Sequence, residues 1–250
     1  MTAVLVGTSH GTDDPAGQAA VRALLDGVRA ARPGLDVREA FVDVQQPEVG
    51  EVLAGAVRDA AGRGSAAGPA AVVVPLLLST GYHVRHDIAQ AVRAANVSGE
   101  VAAAAEPLGP HPLLVDILAD RYAAAEAAHG PFGTDDAVVL AAAGSSVPAA
   151  AAAVEEVASA LAQRLARPVV PAYGAGAEPR VPAAVAAART GSARVVVVSY
   201  LLAPGYFLDR VLEAGADVVT DPVAGPPGAE KADPRLVQVV LDRYDAAAGA

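Results

Sequence analysis

Two histidines fall where an apolar run ends. His10 follows Val4-Leu5-Val6-Gly7-Thr8-Ser9, and His83 follows the run at 71–78 after Ser79-Thr80-Gly81-Tyr82. Neutral imidazoles bind Fe(II), Co(II) and Ni(II), and two of them leave coordination positions open. A lone histidine there reads as an ordinary polar loop residue. A pair on equivalent strand ends reads as a metal site. Asp43 ends another run in Phe41-Val42-Asp43-Val44, and reads equally well as a loop carboxylate or as a group of that site. A competing chemistry is written in the same stretch, because Gly7-Thr8-Ser9-His10-Gly11 matches G-x-S-x-G. A nucleophile elbow needs its serine on a strained strand-to-helix turn, with an acid and then a histidine later in the chain. Here the match lies on the first strand candidate, so a Ser9 hydrolase is the weaker reading.

The remaining histidines and acids have plainer roles. His83 and His86 are three apart at a helix start and share a face, with His86 solvated or supporting. His111 and Asp233 each precede a proline that opens a helix, which suits a cap. His129 lies in the linker between halves. Asp13, Asp14 and Asp87 favour the positive ends of helices.

These residues need a scaffold that brings strand ends together. Short apolar runs at 3–8, 36–43, 71–78, 100–104, 136–142, 167–173, 194–201 and 217–220 alternate with longer amphipathic stretches. In the first of these, Ala20, Leu24, Val28 and Ala31 recur at helical spacing and Pro33-Gly34 stops the pattern. Continuous Val/Leu runs separated by helices predict parallel strands buried on both faces, a doubly wound α/β fold. Such sheets bind ligands at the carboxyl ends of their strands.

The pattern occurs twice. AVLVGTSHGTDDP pairs with DAVVLAAAGSSVP, AVVVPLLLSTGYHV with VVVVSYLLAPGYFL, and HPLLVDILADRY with DPRLVQVVLDRY. The chain is therefore an internal duplication with halves at 1–129 and 134–250, each a four-stranded parallel sheet, and the interface between halves is expected to form a ligand cleft. The copy also serves as a control. Gly11, Pro15, Gly81 and Tyr82 persist as Gly144, Pro148, Gly205 and Tyr206, whereas His10 becomes Ala143, Ser9 becomes Ala142 and His83 becomes Phe207. Opposite Asp43 stands Gly174 or Ala175. Scaffold residues are duplicated and the two histidines are not, as expected of one site in the N-terminal half.

Composition removes other classes. The chain of 250 residues has no cysteine, which excludes disulfides, thiolate metal sites and cysteine nucleophiles. A net charge of −10 disfavours nucleic acid and anionic membranes as partners. No apolar run approaches the roughly 20 residues of a membrane helix, and the N-terminus lacks a signal-peptide pattern, so a cytoplasmic protein is expected. Monomer and homodimer both remain open.

The motifs together resemble the sirohydrochlorin chelatases, class II chelatases of siroheme and cobalamin synthesis. The resemblance rests on His10-Gly11-Thr12, on Phe41-Val42-Asp43, and on Pro75-Leu76-Leu77-Leu78-Ser79-Thr80-Gly81-Tyr82-His83-Val84-Arg85-His86-Asp87-Ile88. It covers the whole chain as a two-repeat form, with Asp43 where relatives often carry Glu. It implies two chelatase-like halves and ATP-independent insertion of a divalent metal, Fe(II) first and Co(II) or Ni(II) as alternatives, into a sirohydrochlorin-type tetrapyrrole. The metal is then a substrate and no prosthetic group is needed. It further implies His10 and His83 as metal ligands, Asp43 as proton acceptor, and Ser9, Gly11, Tyr82 and Arg85 as substrate-binding residues. Backbone N–H groups at the helix start after Gly11 are expected to receive the macrocycle's carboxylates. A cobaltochelatase of cobalamin synthesis and a non-catalytic metal- or tetrapyrrole-binding protein are the alternatives.

Overall fold

A computed structural model describes residues 2–61, 68–79, 81–96 and 101–249, with the side chains of Ala61 and of Tyr82, His83, Val84 and Arg85 outside that description. The first repeat runs β1 (Val4–Ser9), α1 (Pro15–Ala31), β2 (Val37–Phe41), α2 (Val49–Ala61), β3 (Ala71–Pro75), α3 (Tyr82–Asn96), β4 (Ala102–Ala104) and α4 (Pro112–His129). The second runs β5 (Ala137–Ala142), α5 (Pro148–Leu165), β6 (Val170–Tyr173), α6 (Val181–Arg189), β7 (Val195–Tyr200), α7 (Tyr206–Leu212), β8 (Val218–Val219) and α8 (Pro234–Ala248). The expected alternation is therefore present.

Two parallel sheets result, ordered β2-β1-β3-β4 and β6-β5-β7-β8. In the first, Leu5 of β1 pairs with Val37 on one side and Val72 on the other. Every residue of β1, β3 and β7 is buried. This is why these strands read as unbroken apolar runs, since a parallel strand covered on both faces has no solvent side to mark with polar residues. α1 starts where Asp14 accepts the N–H groups of Ala16 and Gly17 at 2.7 and 3.0 Å, with Pro15 opening the helix. Its Val21, Leu24, Leu25 and Val28 are buried.

The two compact units are not the two halves of the sequence. One comprises Met1–Leu77, Tyr82–Leu108 and Glu230–Ala250, and the other Leu78–Gly81 and Gly109–Ala229. The repeats exchange their last helices. α8 packs on α1, β3 and β4, while α4 packs on α5, β7 and β8. Within the first unit, Tyr244 of α8 donates its hydroxyl to the Ala3 carbonyl at 2.6 Å, and Arg32 at the end of α1 grips both carboxylate oxygens of Asp245. Leu236, Val239 and Val240 of α8 are fully buried. The boundaries 1–129 and 134–250 thus describe the duplication, and each unit borrows one helix across it. Among the described residues, no helix is long and apolar enough to cross a membrane.

The segment after α4 is tied down electrostatically. Asp136 is 6% exposed, accepts the Gly133 N–H at 2.8 Å, and takes Nη2 and Nε of Arg194 at 2.7 and 3.1 Å. Arg194 also reaches the carbonyl of His129, the last residue of α4. The Arg194 hydrogen bond, chiefly, holds the Asp136 carboxyl below its ordinary value. A depressed carboxylate stabilises the fold at neutral pH and loses that contribution as pH falls through its folded value. Asp136→Asn should therefore lower neutral-pH stability by about 2–3 kcal/mol, and the difference from wild type should shrink below about pH 3.8, the ordinary value. Urea unfolding at neutral and acid pH checks both. A difference that stays constant down to strong acid would contradict the ion pair.

Candidate metal and tetrapyrrole site

The strand order decides what can meet at the carboxyl edge of the first unit. β1 lies between β2 and β3, so the segments leaving these three strands are neighbours. His10 leaves β1 and is exposed; Asp43 follows β2 and is exposed. The backbone ladder continues past the strand ends, with Val42 N–H donating to the Ser9 carbonyl and Asp43 N–H donating to the His10 carbonyl, both at 3.0 Å. His10 and Asp43 are therefore held side by side by a main-chain hydrogen bond. β3 leads to α3, whose second residue is His83. His83, Tyr82 and Arg85 lie in the first turn of that helix, and their side chains fall outside those described. Among the described residues, no group of three or more His, Asp or Glu side chains converges on one point.

The loop after His10 depends on glycine. Gly11 has φ +92°, and a Cβ there would run into the Asp43 carbonyl oxygen and lie 3.2 Å from Val44 Cβ and the Gln45 N–H nitrogen. Absence of a side chain lets the two loops close on each other. Gln45 completes the clamp, its Oε1 accepting the Thr12 N–H at 3.0 Å. Nothing in the sequence spacing singles out Gln45, since its partner is 33 residues away. Gly34 has a similar φ of +91° with nothing near its added Cβ. Gly11→Ala should cost about 3 kcal/mol and Gly34→Ala only about 1, measured by urea unfolding. Equal losses would sink the steric account.

Two expectations change at this point. Ser9 is the last residue of β1 and only 6% exposed, with its carbonyl in the ladder. It stands on no exposed turn, so the nucleophile elbow is absent, and it offers little surface to a macrocycle. The backbone donors at the start of α1 are also largely spent. Thr12 N–H goes to Gln45, Asp14 N–H to Thr12 Oγ1 at 3.1 Å, and those of Ala16 and Gly17 to Asp14. Gly11 thus acts through the space it leaves, and these donors are not free for carboxylates. His111 caps α4, its Nδ1 accepting the Leu113 N–H at 3.2 Å, and Asp233 caps α8 through the Arg235 N–H at 2.9 Å. His86 is exposed on α3.

The second unit shows what the same edge becomes without imidazoles. Gly174 N–H donates to the Ala142 carbonyl and Ala175 N–H to the Ala143 carbonyl, both at 2.8 Å. The register resolves the open correspondence, placing Ala175 opposite Asp43. Phe207 lies over Gly174, where an added Cβ would stand 2.7 Å from its ring, and it packs with Ala143 on an apolar cluster. The edge that carries His10 and Asp43 in one unit is thus capped by an aromatic ring in the other.

A family model, CbiX, matches residues 4–125 and 137–246, one stretch in each repeat. The chain belongs to the CbiX family. No curated protein matches it. CbiX-type and SirB folds recur among solved structures. SirB from Bacillus subtilis with Fe3+ has a TM-score of 0.77 at 20% identity, covering 100% of this chain and 97% of that one. SirB from Bacillus subtilis subspecies spizizenii in complex with cobalt has 0.75 at 19%, covering 100% and 96%. CbiX, described as the terminal enzyme for biosynthesis of siroheme in denitrifying bacteria, has 0.62 at 21%, covering 96% and 98%. At these identities the likeness carries the fold, and the CbiX match carries the family.

Proposed function

We propose that this chain inserts Fe(II) into sirohydrochlorin without ATP. The observation that carries the reading is the asymmetry between two equivalent sheet edges. One has His10 beside Asp43, with His83 the second residue of the helix that follows the next strand, and the other has Ala143, Ala175 and Phe207. Membership of the CbiX family supports it, as do the relatives' bound Fe3+ and cobalt.

The chemistry follows from the residue types. Neutral His10 and His83 hold the incoming ion and leave positions open, which suits a metal to be passed on. Two pyrrole N–H protons must leave as a divalent ion enters, and Asp43, which is exposed, accepts them one after the other and passes them to solvent instead of binding the ion. Tyr82 and Arg85, in the same helical turn as His83, contact the macrocycle and its carboxylates. Imidazoles must be neutral to ligate, so protons compete with the metal and its affinity weakens as pH is lowered. Two histidines do not choose among Fe(II), Co(II) and Ni(II) by affinity alone, and a cobaltochelatase is the second reading, favoured by the cobalt complex of a relative. Anaerobic rates with the three ions at matched free concentration test the choice. Fe(II) should give the largest kcat/KM, and a larger value for Co(II) would transfer the assignment to cobalt.

A further inference from the structure

Val44 occupies a backbone conformation that its side chain opposes. Its φ is +56°, in the left-handed region that β-branched residues avoid. The equivalent position in the second unit follows from the ladder, one residue beyond Ala175, and is Gly176 with φ +70°. The same turn is thus built twice in one chain, once with the residue that suits it and once with valine. Holding a non-glycine residue there costs of order 1–3 kcal/mol. The valine does not repay this by packing, since it is 51% exposed. A single exposed apolar side chain means little. A strained one, beside Asp43 and matched by glycine where the imidazoles are absent, calls for a ligand.

The surroundings tie that side chain to the edge of the sheet. Asp43 Oδ1 accepts the Val44 N–H at 2.8 Å, so Val44 is anchored to the carboxylate beside His10. Gly11, with no Cβ of its own, leaves room for Val44 Cβ. We propose that Val44 is an apolar contact for the flat face of the tetrapyrrole, holding the ring against the sheet edge at His10 and Asp43. The assignment rests on the chelatase reading above. It makes Val44 a binding residue that stands outside the metal's ligands and the proton transfer.

The test compares the full-length wild type with Val44→Gly and Val44→Ala. Three quantities are read: Tm, the Kd for metal-free sirohydrochlorin by fluorescence quenching, and the Kd for Co(II) alone. Val44→Gly should raise Tm by about 2–4 °C, weaken sirohydrochlorin binding roughly ten-fold, as expected for the loss of a buried valine surface, and leave Co(II) affinity unchanged. Val44→Ala keeps a Cβ at positive φ and should lose tetrapyrrole affinity without the gain in Tm. If wild type binds sirohydrochlorin and both variants bind it as tightly, this assignment fails alone. If wild type does not bind sirohydrochlorin, the chelatase reading falls and this falls with it. A Val44→Gly protein that melts below wild type, or that loses Co(II) affinity in step, would also overturn it, since Val44 would then be ordinary packing.

Discussion

His10→Ala should abolish metal insertion and weaken Co(II) binding by at least about 10²-fold. His10 is the exposed imidazole immediately after the central strand of the three whose ends are neighbours at the edge. Its carbonyl is engaged by Asp43 N–H through the main chain, which an alanine preserves. The fold should tolerate the change, because the chain already carries alanine at the same ladder position as Ala143. The loss would therefore be of a ligand and not of a loop. Ser9→Ala is the companion control, and Ala142 stands there in the second unit. It should leave insertion within about two-fold of wild type, because a buried strand serine does no chemistry in this account. Co(II) titration and anaerobic insertion rates on both variants check the pair. Loss of turnover in Ser9→Ala with retention in His10→Ala would restore a serine-based chemistry.

Asp43→Asn should slow insertion by about 10²-fold or more, the usual contribution of a positioned acid–base group, while Co(II) affinity changes little. The substitution isolates basicity. The amide oxygen of asparagine can still accept the Val44 N–H now bound by Asp43 Oδ1, so the turn keeps its shape. His83→Ala should weaken both metal binding and insertion, which separates a ligand from a base. A fall in Co(II) affinity in Asp43→Asn as large as in His83→Ala would make Asp43 a ligand and end the division of roles.

Much of this was legible in the residues. Val/Leu runs marked the central strands because burial on both faces removes any polar alternation, and Asp13 and Asp14 marked a helix start through its positive end, although Asp14 in fact caps the helix. The paired absence of His10 and His83 from the second repeat is the sequence feature from which the proposed single site in the first unit is argued. The exchange of α4 and α8 was not legible. HPLLVDILADRY and DPRLVQVVLDRY share Pro, Leu, Val and a final Asp-Arg-Tyr, so the residues of the two helices do not by themselves show which sheet each covers. Nor was the use of the α1 donors legible, since Gln45 reaches Thr12 from a distant loop. The conformation of Val44 was hidden for the opposite reason, because valine is the residue that local propensity would place in a strand.

The most direct test of the account is turnover. The full chain is incubated anaerobically with sirohydrochlorin and Fe(II) in large excess over protein, without ATP, and the absorbance of the metallated product is followed. Many product molecules should form per chain, at a rate proportional to enzyme and far above the spontaneous reaction, and none above that background with His10→Ala. Product that stops at one equivalent per chain, or forms no faster than in buffer, would contradict it and leave a protein that binds metal or tetrapyrrole without catalysis.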